Sequence, residues 1–190
     1  MPGPMEDLVS TDEGALDNAE GPGDIRSAFA RDAASVWVVT CADGDLPSGF
    51  TAISVRSVSV EPPIISFNLG KTTSSRAVIE RTGRAAVHLL TAEQEHVART
   101  FAGARDERFR GRHWRWHEDG LPEVADTVLR LSGDVVSLTD AGDSLVVLLR
   151  VNGIDHGTGE PLLHYDRAYR PVTTEAADPA PPFLIGRRPA

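Results

Sequence analysis

Apolar positions along this chain come mostly in short runs bounded by turns, the spacing of strands rather than of long helices. SVWVVTC (35–41) is β-branched and aromatic and predicts a strand; the following ADGDLPSG holds a turn, with Asp43-Gly44 as its hairpin signal. FTAISVRSVSV (50–60) predicts a long strand, which Glu61-Pro62-Pro63 interrupts before IISFNL (64–69) resumes it. Further strands are predicted at RAAVHLL (84–90) and at about 124–138, 144–152 and 161–166, with turns at AGD and HGTGE. Helical spacing occurs three times. IRSAFARDAA, capped by Asp24, puts Ile25, Ala28 and Phe29 on one face. SRAVIERTG opens at Ser74 or Ser75 and closes at Gly83. A third helix starts from a capping box of Thr91 and Gln94, carries Val97, Ala98 and Phe101, and ends at Gly103. Residues 104–123, with Trp114 and Trp116, read as irregular. Seven or so strands and three short helices result. The early strands follow one another through turns alone, which favours an antiparallel closed β-barrel with helices at its ends over a doubly wound parallel sheet.

Composition sets the limits of the folded part. Residues 1–23 are acidic and rich in Gly and Pro and read as a disordered tail; residues 171–190 read as a Pro-rich tail whose FLI cluster could dock on the body or a partner. One domain over residues 24–170 is left. A net charge of −9 argues against nonspecific binding to nucleic acid or an anionic membrane, while leaving room for a local basic pocket. The single cysteine, Cys41, permits no intramolecular disulfide and reads as a small buried hydrophobe. No apolar run reaches the length of a membrane span, and the N-terminus has neither the basic start nor the apolar core of a signal peptide. A cytoplasmic protein is expected. His113 and His117 have HxxxH spacing, but without helical periodicity or a third ligand no metal is expected. Neither GxGxxG nor GxxxxGK[ST] occurs.

Five stretches hold candidate chemistry. In GFTAISVRSVSVEPP (49–63), Ser54, Ser57 and Ser59 beside Thr51 and Ala52 either face solvent or let a flat ligand approach the backbone. GKTTSSRAVIE (70–80) brings Lys71, Ser74, Ser75 and Arg76 to a helix start, which suits either capping or a phosphate. In TFAGARDERF (100–109), Phe101 is core at helical spacing, or Phe101, Ala102 and Gly103 end the helix beside a ring system. In AGDSLVVLL (141–149), Asp143 or Ser144 could reach a pocket mouth. PLLHYDRAYR (161–170) clusters His164, Tyr165, Arg167, Tyr169 and Arg170, and Arg167 or Arg170 could meet a nicotinamide or flavin phosphate.

Taken in order, WVVT (37–40), GFTAISVRSVSVEPP (49–63), SSRAVIERTGRAAVHLL (74–90), EQEHVARTFAG (93–103), RF (108–109), AGDSLVVLLRV (141–151) and PLLHYDRAYR (161–170) resemble the flavin reductase-like family. The resemblance covers about residues 24–170 and implies the FMN-binding split barrel, a mainly β, Greek-key antiparallel barrel with a few short helices. It implies a homodimer that transfers a hydride from NADH or NADPH to FMN or FAD without a side-chain nucleophile, and that supplies reduced flavin to a partner monooxygenase. Thr51, Ala52, Ile53 and Ser54 match the strand lining the isoalloxazine. Asn68, Lys71, Ser74, Ser75 and Arg76 match the ribityl and phosphate region, and Phe101, Ala102 and Gly103 the element beside the flavin. Asp143, Ser144, Arg167 and Tyr169 are the nicotinamide candidates. Two departures stand out: Ile53 and Val55 where relatives often carry Asn and Phe, and Ser144 where they often carry a histidine associated with the nicotinamide. The alternatives are a flavin-binding oxidoreductase that retains its flavin and acts on an organic substrate, or a non-catalytic flavin-binding protein.

Overall fold

Residues 25–172 are described by the structure, a computed structural model; Asp24, the tail over 1–23 and nearly all of the C-terminal tail lie outside the described residues. The chain opens with a one-turn helix α1 (Ile25–Ala28) and continues through β1 (Ala34–Ser35), β2 (Trp37–Asp43), β3 (Leu46–Ala52), β4 (Arg56–Ser59) and β5 (Ile64–Gly70). Helix α2 (Arg76–Thr82), β6 (Arg84–Leu89) and helix α3 (Glu95–Ala102) follow, then β7 (Trp114–Trp116), β8 (Pro122–Val124), β9 (Leu129–Ala141), β10 (Ser144–His156), β11 (Leu162–Tyr165) and β12 (Ala168–Pro171).

Seven strands form one sheet in the order β3-β2-β6-β9-β10-β5-β4, with every neighbouring pair antiparallel. Its two edge strands, β3 and β4, are consecutive in the chain and joined by Ile53, Ser54 and Val55 alone. A link that short spans no more than about 14 Å, so the edges face each other and the sheet closes into a barrel with a seam between β3 and β4. Strand alternation fills the inside: Ile65, Phe67 and Leu69 of β5 and Leu145, Val147, Leu149 and Val151 of β10 point into a core with Trp37, Val39 and Val87. Each such side chain contributes roughly 1.5–3 kcal/mol by leaving water. Strand β2 is buried on both faces, which is why WVVTC does not alternate. Its other face, with Val38, and Val36 just before it meet Val97, Ala98 and Phe101 of α3 with Leu90, Val124 and Leu162 in a second cluster. Strands β1, β11 and β12 form a small sheet beside it.

The barrel, its antiparallel pairing and its short helices are as expected, with several local differences. The strand predicted over 50–60 is broken in two: β3 starts at Leu46 and stops at Ala52, because there the chain must leave one edge of the sheet and join the other. The helix predicted from Ile25 shrinks to α1 and a 3-10 turn at Phe29–Arg31, since Ala34 and Ser35 are taken by β11. The irregular stretch 104–123 contains β7, which pairs with β8. β9 begins only at Leu129, after Asp126 turns through a left-handed φ of +56°. β12 was unforeseen because its turn, Asp166-Arg167, contains neither Gly nor Asn.

Candidate functional site

The seam opens into a cleft of about 600 Å³. Ile53, Ser54, Arg56 and Asn68 come from its barrel side, Phe29, Ala30, Asp32 and Ala34 from the N-terminal segment, and His164 and Arg167 from the β11–β12 hairpin. Its origin lies in the strand register. Arg56 pairs with Ser66, so a continued ladder would put residue 54 opposite Asn68. Strand β4 stops before that point, and the Ser54 hydroxyl takes over by accepting the Asn68 N–H at 2.9 Å. The backbone group is satisfied without a neighbouring strand, and a gap remains beside it. Ile53, 43% exposed, forms an apolar wall there.

The four residues expected along the isoalloxazine therefore divide. Ile53 and Ser54 face the cleft. Thr51 is turned towards α3, where its hydroxyl donates to the Ala98 carbonyl at 2.6 Å, and Ala52 is buried in the barrel core.

The expected phosphate group lies in the loop between β5 and α2. Lys71 pairs with Asp140 at 2.6 Å, a bond that pulls the Asp140 carboxyl below its usual range, and Arg76 pairs with Glu80 at 2.7 Å. Ser75 precedes α2, but its side chain does not cap the helix; it is fully buried, with its Oγ 2.9 Å from that of Ser48. Ser75 thus makes no capping bond, and its hydroxyl is turned to Ser48. The Ser74 Oγ is buried with no hydrogen-bond partner among the described residues. A buried hydroxyl without a partner among the described residues, in the same short segment as Lys71 and Arg76, fits the donor set of a phosphate.

Phe101 belongs to the second core cluster and meets Phe109 and His113 edge-on at 5.1 and 5.7 Å. Ala102 and Gly103 are exposed. Arg108 fixes this corner, donating to the carbonyls of Gly103 at 2.9 Å and Gly49 at 2.7 Å. Burial, with Arg105 nearby, lowers its pKa. The Phe101–Gly103 element does not line the seam cleft.

The nicotinamide candidates also separate. Asp143 lies in the β9–β10 turn and Ser144 opens β10: the Asp143 carbonyl accepts the Lys71 N–H at 3.0 Å, and the Ser144 hydroxyl donates to the Asp143 carboxylate at 3.0 Å. They adjoin the phosphate loop and do not line the cleft. Arg167 does line it. Tyr169 packs on the second cluster, with the Arg99 guanidinium 5.1 Å from its ring centre, and burial raises its phenol pKa. Arg56, Asp32, Phe29 and Ala30 were not singled out as site residues, and His164 was noticed only as part of a cluster. Phe29, read only as part of an apolar helix face, lies in the 3-10 turn after α1.

An antiparallel barrel split at a seam, with hydroxyls and guanidinium groups around an apolar cleft, has the make-up of a nucleotide-binding barrel. Residues 29–173 match the flavin reductase like domain, and the chain belongs to that family. It is 36% identical over 157 residues to an NADH:FMN oxidoreductase of Rhodococcus qingshengii, covering 79% of this chain and 82% of that protein. It is 31% identical to the flavin-dependent monooxygenase reductase subunit HsaB of Mycobacterium tuberculosis, covering 84% and 87%. Among solved structures it resembles a flavin reductase domain protein from Arthrobacter sp. FB24, with a TM-score of 0.76, 31% identity and coverage of 82% and 98%. It also resembles the Streptomyces globisporus C-1027 NADH:FAD oxidoreductase SgcE6 in complex with NAD and FAD fragments, with a TM-score of 0.77, 28% identity and coverage of 85% and 100%.

Proposed function

We propose that this chain is an NAD(P)H-dependent flavin reductase that passes a hydride to FMN or FAD and supplies the reduced flavin to a partner monooxygenase. The observation that carries this reading is the seam cleft, with Ile53, Ser54 and Asn68 on one wall and the unpartnered Ser74 hydroxyl in the loop after β5. The family supports it, as do relatives named as NADH:FMN oxidoreductase and as monooxygenase reductase subunits. Bound flavin supplies the hydride-accepting ring. Ile53 and Ser54 present an apolar wall and a hydroxyl to that ring. Asn68 faces the ribityl chain, and Lys71, Ser74 and Arg76 face the phosphate. The protein's contribution is to hold two ring systems together and exclude water from between them.

The working form is a cytoplasmic homodimer, with residues 24–170 as its folded unit between two tails. Ile25, Phe29, Val58, Val60 and Ile154 are each more than half exposed, and a second copy would cover such side chains. Among the described residues no helix is long and apolar enough to cross a membrane. In the direct assay, purified protein is mixed with FMN or FAD and NADH or NADPH, and absorbance at the nicotinamide band is followed. Oxidation well above the flavin-only blank is expected with at least one pair. Flavin that copurifies and resists dialysis, with nicotinamide oxidation at the blank rate, would overturn the reading in favour of a retained-flavin enzyme.

A further inference from the structure

Two guanidinium groups border the seam cleft, and neither is ion-paired to a carboxylate among the described residues. Arg56 opens β4, is exposed, and donates only to the carbonyls of Val55 at 2.8 Å and Ile53 at 3.5 Å. Arg167, on the hairpin side, donates to the neutral hydroxyl of Ser27 at 3.0 Å. Among the described residues neither forms an ion pair, a state they share with Arg31, Arg84, Arg105, Arg108, Arg112, Arg150 and Arg170, but of all these only Arg56 and Arg167 line the cleft. Asp32 is the one acidic residue lining the cleft, and Asp166 lies next to Arg167 in the turn. A chain of net charge −9 has thus placed two cations against one acid at this opening.

Arg167 is also held in place. Asp166 and Arg167 both have left-handed backbone, with φ of +48° and +61°, a conformation that an arginine seldom adopts without support. The support comes from the N-terminal segment: the Asp166 N–H donates to the Ala30 carbonyl at 2.7 Å, and the Arg167 side chain reaches Ser27.

We propose that Arg56 and Arg167 form a clamp for the pyrophosphate of the nicotinamide dinucleotide, which makes them determinants of donor affinity. This rests on the flavin reductase reading. On that reading Lys71, Ser74 and Arg76 after β5 serve the flavin phosphate, and the cleft-side pair is left for the second ligand. A guanidinium meets a phosphate with two parallel N–H donors and needs no proton exchange to do so.

The test compares the full chain with R56Q, R167Q and R56K, each first checked for an unchanged melting temperature. Calorimetry measures NADH and FMN binding separately. Turnover is measured with NADH and with 1-benzyl-1,4-dihydronicotinamide, a donor that has no phosphate. Each glutamine variant should weaken NADH binding about tenfold, the usual size for loss of one charge-assisted contact. The ratio of kcat/KM for NADH to that for the phosphate-free donor should fall by about the same factor, with R56K recovering part of the loss. NADH affinity within about twofold of the parent, equal losses with both donors, or weakened FMN binding in place of weakened NADH binding would each overturn the clamp. Should the parent protein turn over neither donor, the reductase reading fails, and the NADH titration still decides the clamp.

Discussion

Two buried side chains show how single positions answer to their surroundings. Cys41 lies fully inside the barrel, and burial pushes its thiol up to about 12 despite hydrogen bonds from Ser48 and Ser75. A thiol held protonated cannot act as a nucleophile. Folded protein should therefore leave an aromatic disulfide reagent unreacted for as long as it stays folded, and react at once in denaturant. His88 is fully buried, and its Nδ1 lies 3.1 Å from the Val38 carbonyl, which can only accept, so that nitrogen carries the proton. Burial pushes the imidazole down to about 3. The unfolded chain takes up a proton at the ordinary 6.5, so between about 6.5 and 3 it binds more protons than the folded chain, and stability falls as pH drops through that window. The slope from this residue approaches about 1.4 kcal/mol per pH unit. Melting temperature should fall between pH 6.5 and 4, and H88Q should show a shallower fall. Asp119 acts in a lower window. Burial alone would raise its carboxyl, but bonds from Arg130, the Leu121 N–H and His117 bring it to about 2 from an ordinary 3.8, so its contribution is lost only as pH falls through that range.

Among the elements, β3 is tightly constrained at Gly49. A Cβ on Gly49 would sit 2.7 Å from the Val39 carbonyl oxygen and 3.1 Å from the Phe101 ring. G49A should cost about 1–3 kcal/mol, measured by denaturant unfolding, because both neighbours are buried and cannot move freely. Much of this level was legible in the sequence. The WVVTC run announced a strand, and the capping box at Thr91 and Gln94 is present. The seam was not legible, because serines at 54, 57 and 59 read alike whether a strand continues or stops. The division of Thr51, Ala52, Ile53 and Ser54 between core and cleft depends on where β3 ends, and pairing across the barrel decides that. Ser75 read as a cap because its neighbours in sequence are polar; its actual partner, Ser48, is 27 positions away.

For the whole molecule, the barrel buries its core but leaves large apolar side chains outside. Val58 and Val60 at the β4 edge, Ile154 on β10 and Phe29 near the cleft are 54–69% exposed. The homodimer reading predicts a light-scattering mass of twice 20.4 kDa, and V60D should shift the protein towards monomer. A parent that stays monomeric at working concentration would remove that reading. The charge distribution matters at the same scale. The net charge is −9, while Arg56 and Arg167 flank the cleft, so anionic ligands are attracted locally by a protein that repels them on average.

The account depends on the seam cleft being where flavin binds, and I53W tests this most directly. Ile53 is 43% exposed, so an indole there fills the cleft without disturbing the core. Calorimetric titration with FMN and FAD should show binding to the parent protein and loss of that binding in I53W, at an unchanged melting temperature. Flavin bound equally well by both proteins would place the site elsewhere and contradict the account.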